Sequence, residues 1–186
     1  MKITEEQILK AAPRTDKARL KEFVEVFNEW GVVFGITTKA RLVHFLAQCW
    51  HESGALRYVQ EIASGRQYEG RRDLGNTQKG DGMRFKGRGF IQITGRANYK
   101  AYQESGFCVG DLMGHPERLA KKPGHTKASM WFWWKRGLNE LADSDTGSLT
   151  QGEAVVKKIT RRVNGGYNGL DDRLKNYRQF RNAIGI

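Results

Sequence analysis

The sequence is poor in cysteine, in proline and in long apolar runs. Its 186 residues include 2 cysteines and 3 prolines. Cys49 and Cys108 are too few to build a disulfide scaffold, although a single bridge between them stays open. No apolar run approaches the length that spans a bilayer, and the N-terminus has no apolar stretch followed by a small-residue cleavage site. We therefore expect neither stable membrane insertion nor a signal peptide.

Acidic residues are outnumbered by basic ones. The chain holds 32 Lys and Arg against 20 Asp and Glu, which gives a formal net charge of +12. A charge of this size predicts attraction to polyanions such as nucleic acid, an anionic membrane surface or an acidic cell-wall polymer. The sequence lacks zinc fingers, recognition helices and RNP motifs, so we expect no nucleic-acid partner. The charge alone does not choose among the other polyanions.

Apolar residues at helical spacing predict a mainly α-helical fold in one domain spanning residues 1–186, with no separate cell-wall-binding domain. Thr4 with Gln7, and Ser148 with Gln151, are candidate capping boxes, and Thr38 is a candidate cap of the helix that follows it. Residues 90–94 (Phe-Ile-Gln-Ile-Thr) resemble a short strand and predict a small β element. The predicted helices cover residues 4–12, 20–31, 38–53, 96–104, 130–137, 148–164 and 170–180.

Residues 64–89 lack this periodicity. The segment contains seven glycines and seven basic residues, and it predicts a long irregular loop. Such loops inside a compact domain are usually functional or disordered. Contact with a polyanion and a plain solvated surface are equally supported for its basic side chains, which are Arg66, Arg71, Arg72, Lys79, Arg84, Lys86 and Arg88.

Glu52 is the first candidate for catalysis. It ends the predicted helix over residues 38–53 and follows Cys49 and Phe45 at helical spacing, which places it at the edge of the apolar face. A carboxyl group there is partly desolvated, and desolvation favours the neutral form that can donate a proton. The competing interpretation is an ordinary glutamate facing solvent, although the helix dipole disfavours a negative charge at this end.

A glycosidase needs a second carboxylate, because one group protonates the leaving oxygen while the other activates water or attacks the sugar. Glu61 follows Glu52 after the break at residues 53–55, so the chain can fold it back opposite Glu52. Glu69 is the rival second carboxylate. The spacing of the glutamates does not choose between these two.

Three separated blocks of the sequence resemble, in order, the signature blocks of glycoside hydrolase family 19. They are residues 51–54 (His-Glu-Ser-Gly), residues 87–95 (Gly-Arg-Gly-Phe-Ile-Gln-Ile-Thr-Gly) and residues 163–166 (Val-Asn-Gly-Gly), followed by residues 172–174 (Asp-Arg-Leu) and 177–178 (Tyr-Arg). The family contains chitinases and the peptidoglycan-cleaving endolysins of bacteriophages. Because the blocks extend over most of the chain, the resemblance concerns the whole domain.

The resemblance implies a two-lobed, lysozyme-like α-helical fold, a small β element beside the cleft, and an inverting mechanism without metal or cofactor. Glu52 falls on the family's general acid and Glu61 on the general base of the short, endolysin-like members. Thr94 falls on the hydroxyl residue that helps hold the attacking water. An inverting enzyme is expected to hold its two carboxyl groups about 6.5–9.5 Å apart. The positions matched to sugar contacts are His51, Gln92, Asn98, Asn164 and Arg173. Of these, His51, Asn164 and Arg173 are candidates for organising the carboxylates instead.

The resemblance and the charge together predict an endolysin, a muramidase that hydrolyses the β-1,4 bond of bacterial peptidoglycan and lyses the host. Chitinase is the alternative, although Asn168 replaces the glutamate that chitinases carry shortly after the Asn-Gly-Gly block. A lytic transglycosylase needs one glutamate only, and a non-catalytic wall-binding module is less favoured. We expect a monomer that stays in the host cytoplasm until a separate pore-forming protein releases it to the wall in the periplasm.

Other patterns do not support a different chemistry. Residues 87–92 fail the dinucleotide-binding fingerprint, and residues 51–55 lack the second histidine of a zinc-protease helix. The tryptophans within residues 131–134 are expected in the core and not on a sugar-binding platform. Surface or capping positions are expected for the dispersed histidines His44, His115 and His125.

Overall fold

The computed structural model describes residues 1–108 and 110–186. It confirms the expected mainly α-helical fold. Three short 3-10 turns, Arg66–Tyr68, Arg72–Leu74 and Pro116–Ala120, accompany the α-helices. The described residues form α1 (Glu5–Ala11), α2 (Lys17–Trp30), α3 (Lys39–Glu52), α4 (Asp81–Arg84), α5 (Arg96–Gln103), α6 (Gly124–Lys135), α7 (Leu138–Ala142), α8 (Leu149–Asn164) and α9 (Leu170–Ile184). None of these helices is long and apolar enough to cross a membrane.

Two of the three predicted helix caps form. The Thr4 hydroxyl accepts a hydrogen bond from the Gln7 amide, and the Gln7 side chain accepts one from the Thr4 amide, so α1 begins with a capping box. Thr38 begins α3 by accepting from the amide of the third helical residue. The capping box expected at Ser148 is wrong, because the Ser148 side chain makes no cap bond and Gln151 pairs with the Thr146 hydroxyl.

The α3 helix lies at the centre of the protein. Every residue from 42 to 50 is buried, so α3 is covered on all sides, with α9 packed along it. Phe23 and Phe27 of α2 stack against Phe45 with ring centroids 6.3 and 6.1 Å away. Stacked aromatic rings add to the apolar burial that holds a helix in place. The C-terminal end of α3, where Glu52 lies, is therefore presented by a fixed support.

The strand expected over residues 90–94 does not form. Arg88 and Ile93 exchange two backbone hydrogen bonds of 3.1 and 2.8 Å, so residues 89–92 form the turn between them. Arg88 also bridges to Gln60 in the antiparallel sense. The Arg88 guanidinium is buried and bonds the Gln60 side chain and the Tyr99 hydroxyl, each at 2.8 Å. The β element beside the cleft is thus two isolated bridges centred on one buried arginine.

The basic segment at residues 66–88 is less irregular and less free than its composition indicates. It contains two 3-10 turns and α4. Four of its seven cationic side chains bond other groups of the protein. Arg71 pairs with Asp73, Arg84 and Lys86 bond backbone carbonyls, and Arg88 is buried as described above. The surface expected to contact a polyanion is therefore reduced to Arg66, Arg72 and Lys79, which are exposed.

Of the three histidines expected at surface or capping positions, two are not at the surface. His44 is fully buried and bonds Asp145 at 2.9 Å, and His125 is 2% exposed and bonds Glu22 at 3.0 Å. His115 is exposed, as expected. A neutral imidazole tolerates burial when a carboxylate accepts its N–H, which sequence periodicity does not reveal. Trp131 and the tryptophan at position 133 lie in the core, whereas the one at position 134 is 49% exposed.

Asp145 is the acceptor of a buried polar cluster that ties α3 to α9. Its Oδ2 accepts from the His44 ring at 2.9 Å and from the Tyr177 hydroxyl at 2.7 Å, and its Oδ1 accepts from the Gly147 amide at 3.0 Å. Burial alone raises the pKa of Asp145, but these three donors outweigh it and bring the pKa to about 2. Burial lowers the pKa of His44, which is therefore the neutral donor of the pair.

Asp145→Asn is expected to lower the free energy of unfolding by about 2 kcal/mol at neutral pH. The folded-state pKa lies below the unfolded value, so this contribution is present above the ordinary carboxyl range and disappears as the pH falls toward 2. Urea unfolding of both proteins from pH 7 to pH 2 measures the difference. Asp143→Asn, which removes a half-exposed partner of Arg41, is the control with a smaller effect. A difference that stays constant with pH would contradict a charged Asp145.

Candidate active site

Glu52 is held by a buried arginine. Its side chain is 19% exposed, and Oε1 accepts a hydrogen bond from the guanidinium of Arg173 on α9. Arg173 is 1% exposed and also bonds the Gln48 side chain, one turn before Glu52 on α3, and the Asn168 carbonyl at 3.4 Å. Burial of this kind leaves Arg173 little surface for a sugar. Its other expected part, organising the Glu52 carboxylate, is the one that fits the geometry.

A left-handed turn follows Glu52 directly. Gly54, Ala55 and Leu56 have φ angles of 58°, 61° and 65°. This conformation costs a non-glycine residue about 1–2 kcal/mol. Burial of the Leu56 side chain offsets that cost, together with bonds from the Leu56 amide to the Ser53 hydroxyl at 2.9 Å and from the Ala55 amide to a carbonyl of α3 at 2.8 Å. The turn ends α3 at Glu52 and redirects the chain toward Glu61.

Glu61 is fixed through both its backbone and its side chain. Its amide donates to the Gly87 carbonyl at 3.0 Å, and its Oε2 accepts from the Tyr68 hydroxyl at 2.9 Å. Burial, and then Glu61 itself, raise the pKa of Tyr68, so the phenol keeps the proton that it donates. Glu61 Oε1 is buried and accepts no hydrogen bond from any described residue. That oxygen is the one available to take a proton.

Glu52 opens onto a cleft of about 310 Å³. Four of the other predicted site residues, Gln92, Thr94, Asn98 and Asn164, line the same cleft. Tyr68 also lines it and donates its hydroxyl hydrogen bond to Glu61, which stands behind this residue and is not itself among the lining residues. The remaining wall consists of Leu74, Ile91, Phe132, Arg136 and Val163. The polar side chains of this lining are of the kind that fix the orientation of a bound ligand.

The turn that follows residue 87 orients the polar side chains of the cleft. The Gln92 amide group donates to the Gly89 carbonyl at 3.0 Å, and the Asn98 amide group donates to the Thr94 carbonyl at 2.7 Å. A Cβ atom at Gly87 would lie 2.6 Å from Gln92 Oε1 and 3.2 Å from the Thr94 hydroxyl. Glycine at position 87 therefore lets these two side chains approach the backbone beside Glu61.

Two predicted sugar contacts have structural partners. His51 bonds Asp172 of α9 at 2.8 Å and is not among the residues lining the cleft. Its ring lies so close to Gly169 that a Cβ there would be 2.0 Å away, so His51 joins α3 to the start of α9. Asn164 does line the cleft, but its side chain also bonds the Gly166 amide at 2.8 Å and shapes the turn between α8 and α9.

Glu69, the rival second carboxylate, is occupied elsewhere. Its two oxygens accept from the amides of Gly80 and Gly82 at 2.7 and 2.8 Å, where they anchor the start of α4. Negative charge at the N-terminal end of a helical segment is stabilised by the exposed amides there. Glu69 therefore belongs to the loop structure, which leaves Glu61 as the better candidate for the second carboxylate.

The sequence interpretation missed Gln48, Tyr68 and Arg136. Gln48 carries a recognisable signal, because it is a polar residue inside the apolar face of α3 and points to a buried partner. Tyr68 is a lone aromatic in a segment with little apolar character. Arg136 has no local signal, since it follows α6 and meets the cleft where its carbonyl bonds Arg162 near the end of α8.

Comparisons with known proteins identify the family. No protein-family model matches the chain. A glycosyl hydrolase family 19 domain-containing protein of Haemophilus influenzae is 31% identical over 176 residues, which cover 77% of this chain and 80% of the relative. An endochitinase of Arabidopsis thaliana is 32% identical over 172 residues, covering 88% of this chain and 55% of the plant protein, so the chain spans little more than half its length. A solved bacterial family 19 chitinase has the same fold, with a TM-score of 0.70, 19% identity and coverage of 99% of this chain and 95% of its own. The chain belongs to glycosyl hydrolase family 19 and is a glycoside hydrolase.

Proposed function

We propose that the protein hydrolyses β-1,4 bonds next to N-acetylated sugars with inversion, using Glu52 as general acid and Glu61 as general base. One observation carries this proposal: Glu52 lines a cleft whose lining also includes Tyr68, the hydrogen-bond donor to Glu61. Two carboxyl groups with separate partners can hold different protonation states, which this chemistry requires.

In this mechanism Glu52 donates its proton to the glycosidic oxygen as the bond to the anomeric carbon breaks. Glu61 Oε1 takes a proton from a water that attacks the opposite face of the sugar, so one bond forms and one breaks. We assign the orientation of that water to the Thr94 hydroxyl and to Gln92 Oε1, which both line the cleft and lie beside Gly87. Arg173 stabilises the Glu52 carboxylate left behind, and both protons exchange with solvent before the next turnover.

Two polymers are candidate substrates. Chitin is favoured by the comparisons, since the Arabidopsis relative and the solved neighbour are chitinases. Bacterial peptidoglycan is favoured by the net charge of +12, because its stem peptides carry carboxylates whereas chitin is neutral. As a peptidoglycan muramidase the protein would be an endolysin of the kind described above, a monomer dependent on a pore-forming partner for access to the wall.

Digestion of purified sacculi and of colloidal chitin, with mass spectrometry of the soluble products, tests the proposal. Reducing-end muramic acid products are expected from a muramidase, and N-acetylglucosamine oligomers from a chitinase. Anhydro-muramic acid ends would identify a transglycosylase and contradict the hydrolytic mechanism. Absence of soluble products from both polymers would overturn the proposed activity itself.

Tyr68→Phe is expected to lower kcat about tenfold, because it removes the hydrogen bond that positions the Glu61 carboxylate. KM should change little, since the substrate's ground-state contacts are retained. Steady-state rates over a range of substrate concentrations measure both parameters. Tyr58→Phe, at a tyrosine that is 41% exposed, is the matched control. A loss confined to KM would mean that Tyr68 does not act through Glu61.

A further inference from the structure

The exposed face of α8 carries a group of cations. Lys158, Arg161 and Arg162 follow at helical spacing and are exposed. Together with Leu141 of α7 they line one shallow depression of about 420 Å³. None of these three cations forms an ion pair with any described residue. The depression is therefore a concave surface with uncompensated positive charge.

This depression adjoins the cleft that Glu52 lines. The Arg162 guanidinium bonds the Arg136 carbonyl at 3.4 Å, and Arg136 is itself one of the residues that line the cleft. The next residues of α8, Val163 and Asn164, line the cleft as well. A polymer that leaves the cleft on this side therefore passes close to the cations. We name Arg136, Lys158, Arg161 and Arg162 the α8 basic surface.

Neighbouring acidic groups do not neutralise the α8 basic surface. Glu153, earlier on α8, pairs with Arg178 at 2.7 Å. On the α7 side, Asp143 bonds Arg41 at 2.7 Å, and Asp143 and Glu140 together raise the pKa of Arg41. These carboxylates are thus directed to other cations, which leaves the surface beside the cleft free to attract an external anion.

We propose that the α8 basic surface binds the stem-peptide carboxylates of peptidoglycan while the glycan backbone occupies the cleft. The inference rests on the proposed function and selects its anionic candidate substrate. A chain of alternating sugars places one charged peptide at regular intervals, so cations adjoining the cleft meet a carboxylate whenever the backbone is correctly seated. Chitin presents no such group.

The test is a charge-neutralising triple variant, Lys158→Gln with Arg161→Gln and Arg162→Gln. The matched control is Lys2→Gln with Lys10→Gln and Lys17→Gln, which removes the same charge from exposed positions that line neither the cleft nor the depression. At low salt the α8 variant should show about tenfold weaker co-sedimentation with sacculi and a similar rise in KM on soluble peptidoglycan. The control variant should change co-sedimentation and KM by less than about twofold. Added salt should remove the difference between the two variants, because it shortens the electrostatic screening length. Rates on a neutral N-acetylglucosamine hexamer should be unchanged in both variants.

Each alternative outcome would contradict a different part of the proposal. Equal weakening by both triple variants would mean that total charge acts and that the α8 basic surface is not a site. An equal loss on the neutral hexamer would place these residues in general substrate binding. Amidating the stem-peptide carboxylates of sacculi should abolish the difference in binding between the α8 variant and its control. If that difference survives amidation but disappears when wall phosphate polymers are removed, the anion bound by the α8 basic surface is a phosphate and the proposal is wrong. Co-sedimentation needs no turnover, so failure of the proposed hydrolysis is distinguishable from failure of this inference.

Discussion

Glu52→Gln is expected to reduce kcat at least about a hundredfold, the usual scale for the loss of general acid assistance. Glutamine keeps the shape of the side chain and an oxygen for the Arg173 guanidinium, but it has no proton to give to the leaving oxygen. KM should change little, because the ground-state contacts of the substrate are retained. Initial rates on a chromogenic or reducing-end assay with wild-type and variant protein at matched concentration measure the effect.

A control is needed to show that the loss of kcat in Glu52→Gln comes from the missing proton donor and not from misfolding. Thermal unfolding of Glu52→Gln should stay close to that of the wild type, since the acceptor for Arg173 is preserved. Glu25→Gln, at an exposed glutamate paired with Lys122 away from the cleft, is the control expected to retain full activity. Retention of more than about a tenth of wild-type kcat by Glu52→Gln would remove Glu52 from the mechanism.

Glu61→Gln is expected to be comparably severe, with a loss of about a hundredfold or more in kcat. The variant keeps an oxygen for the Tyr68 hydroxyl, but its amide cannot accept a proton from the attacking water. The same assay on sacculi and on N-acetylglucosamine oligomers measures the loss on both candidate substrates.

Glu69→Gln distinguishes the two assignments of the second carboxylate. Its oxygens bond the Gly80 and Gly82 amides, so its replacement should loosen the start of α4 and affect the rate only mildly. Near-wild-type turnover by Glu61→Gln would assign the base elsewhere, or would show that a one-glutamate transglycosylase reaction operates. A larger loss from Glu69→Gln than from Glu61→Gln would reverse the assignment given by the geometry.

The parts of the fold that the sequence predicts are those determined by interactions between residues close together in the chain. The caps at Thr4 and Thr38, and the end of α3 at Glu52, follow from short patterns of capping residues, periodicity and glycine. The cleft residues Gln92, Thr94 and Asn98 were reached through the family resemblance, because their spacing carries no chemistry of its own.

The parts that the sequence does not predict depend on distant partners. The strand over residues 90–94 is replaced by a turn because Arg88 and Ile93 pair with each other. The burial of Arg173 against Glu52 depends on the packing of α9 on α3, which no local pattern around Arg173 predicts. The basic run at residues 66–88 looks like a polyanion surface, yet most of its cations bind the protein, and the uncompensated cations beside the cleft belong to α8.

The configuration of the first product tests the two-carboxylate mechanism most directly. A soluble β-1,4-linked N-acetylglucosamine oligomer, or a soluble peptidoglycan fragment if only that is cleaved, is digested in an NMR tube. The anomeric proton signals are then recorded within the first minutes, before mutarotation equilibrates them. Attack of a Glu61-activated water opposite the bond that Glu52 protonates predicts that the new reducing end first appears as the α-anomer. Initial appearance of the β-anomer would contradict the inverting mechanism and the assignment of Glu61 as a base.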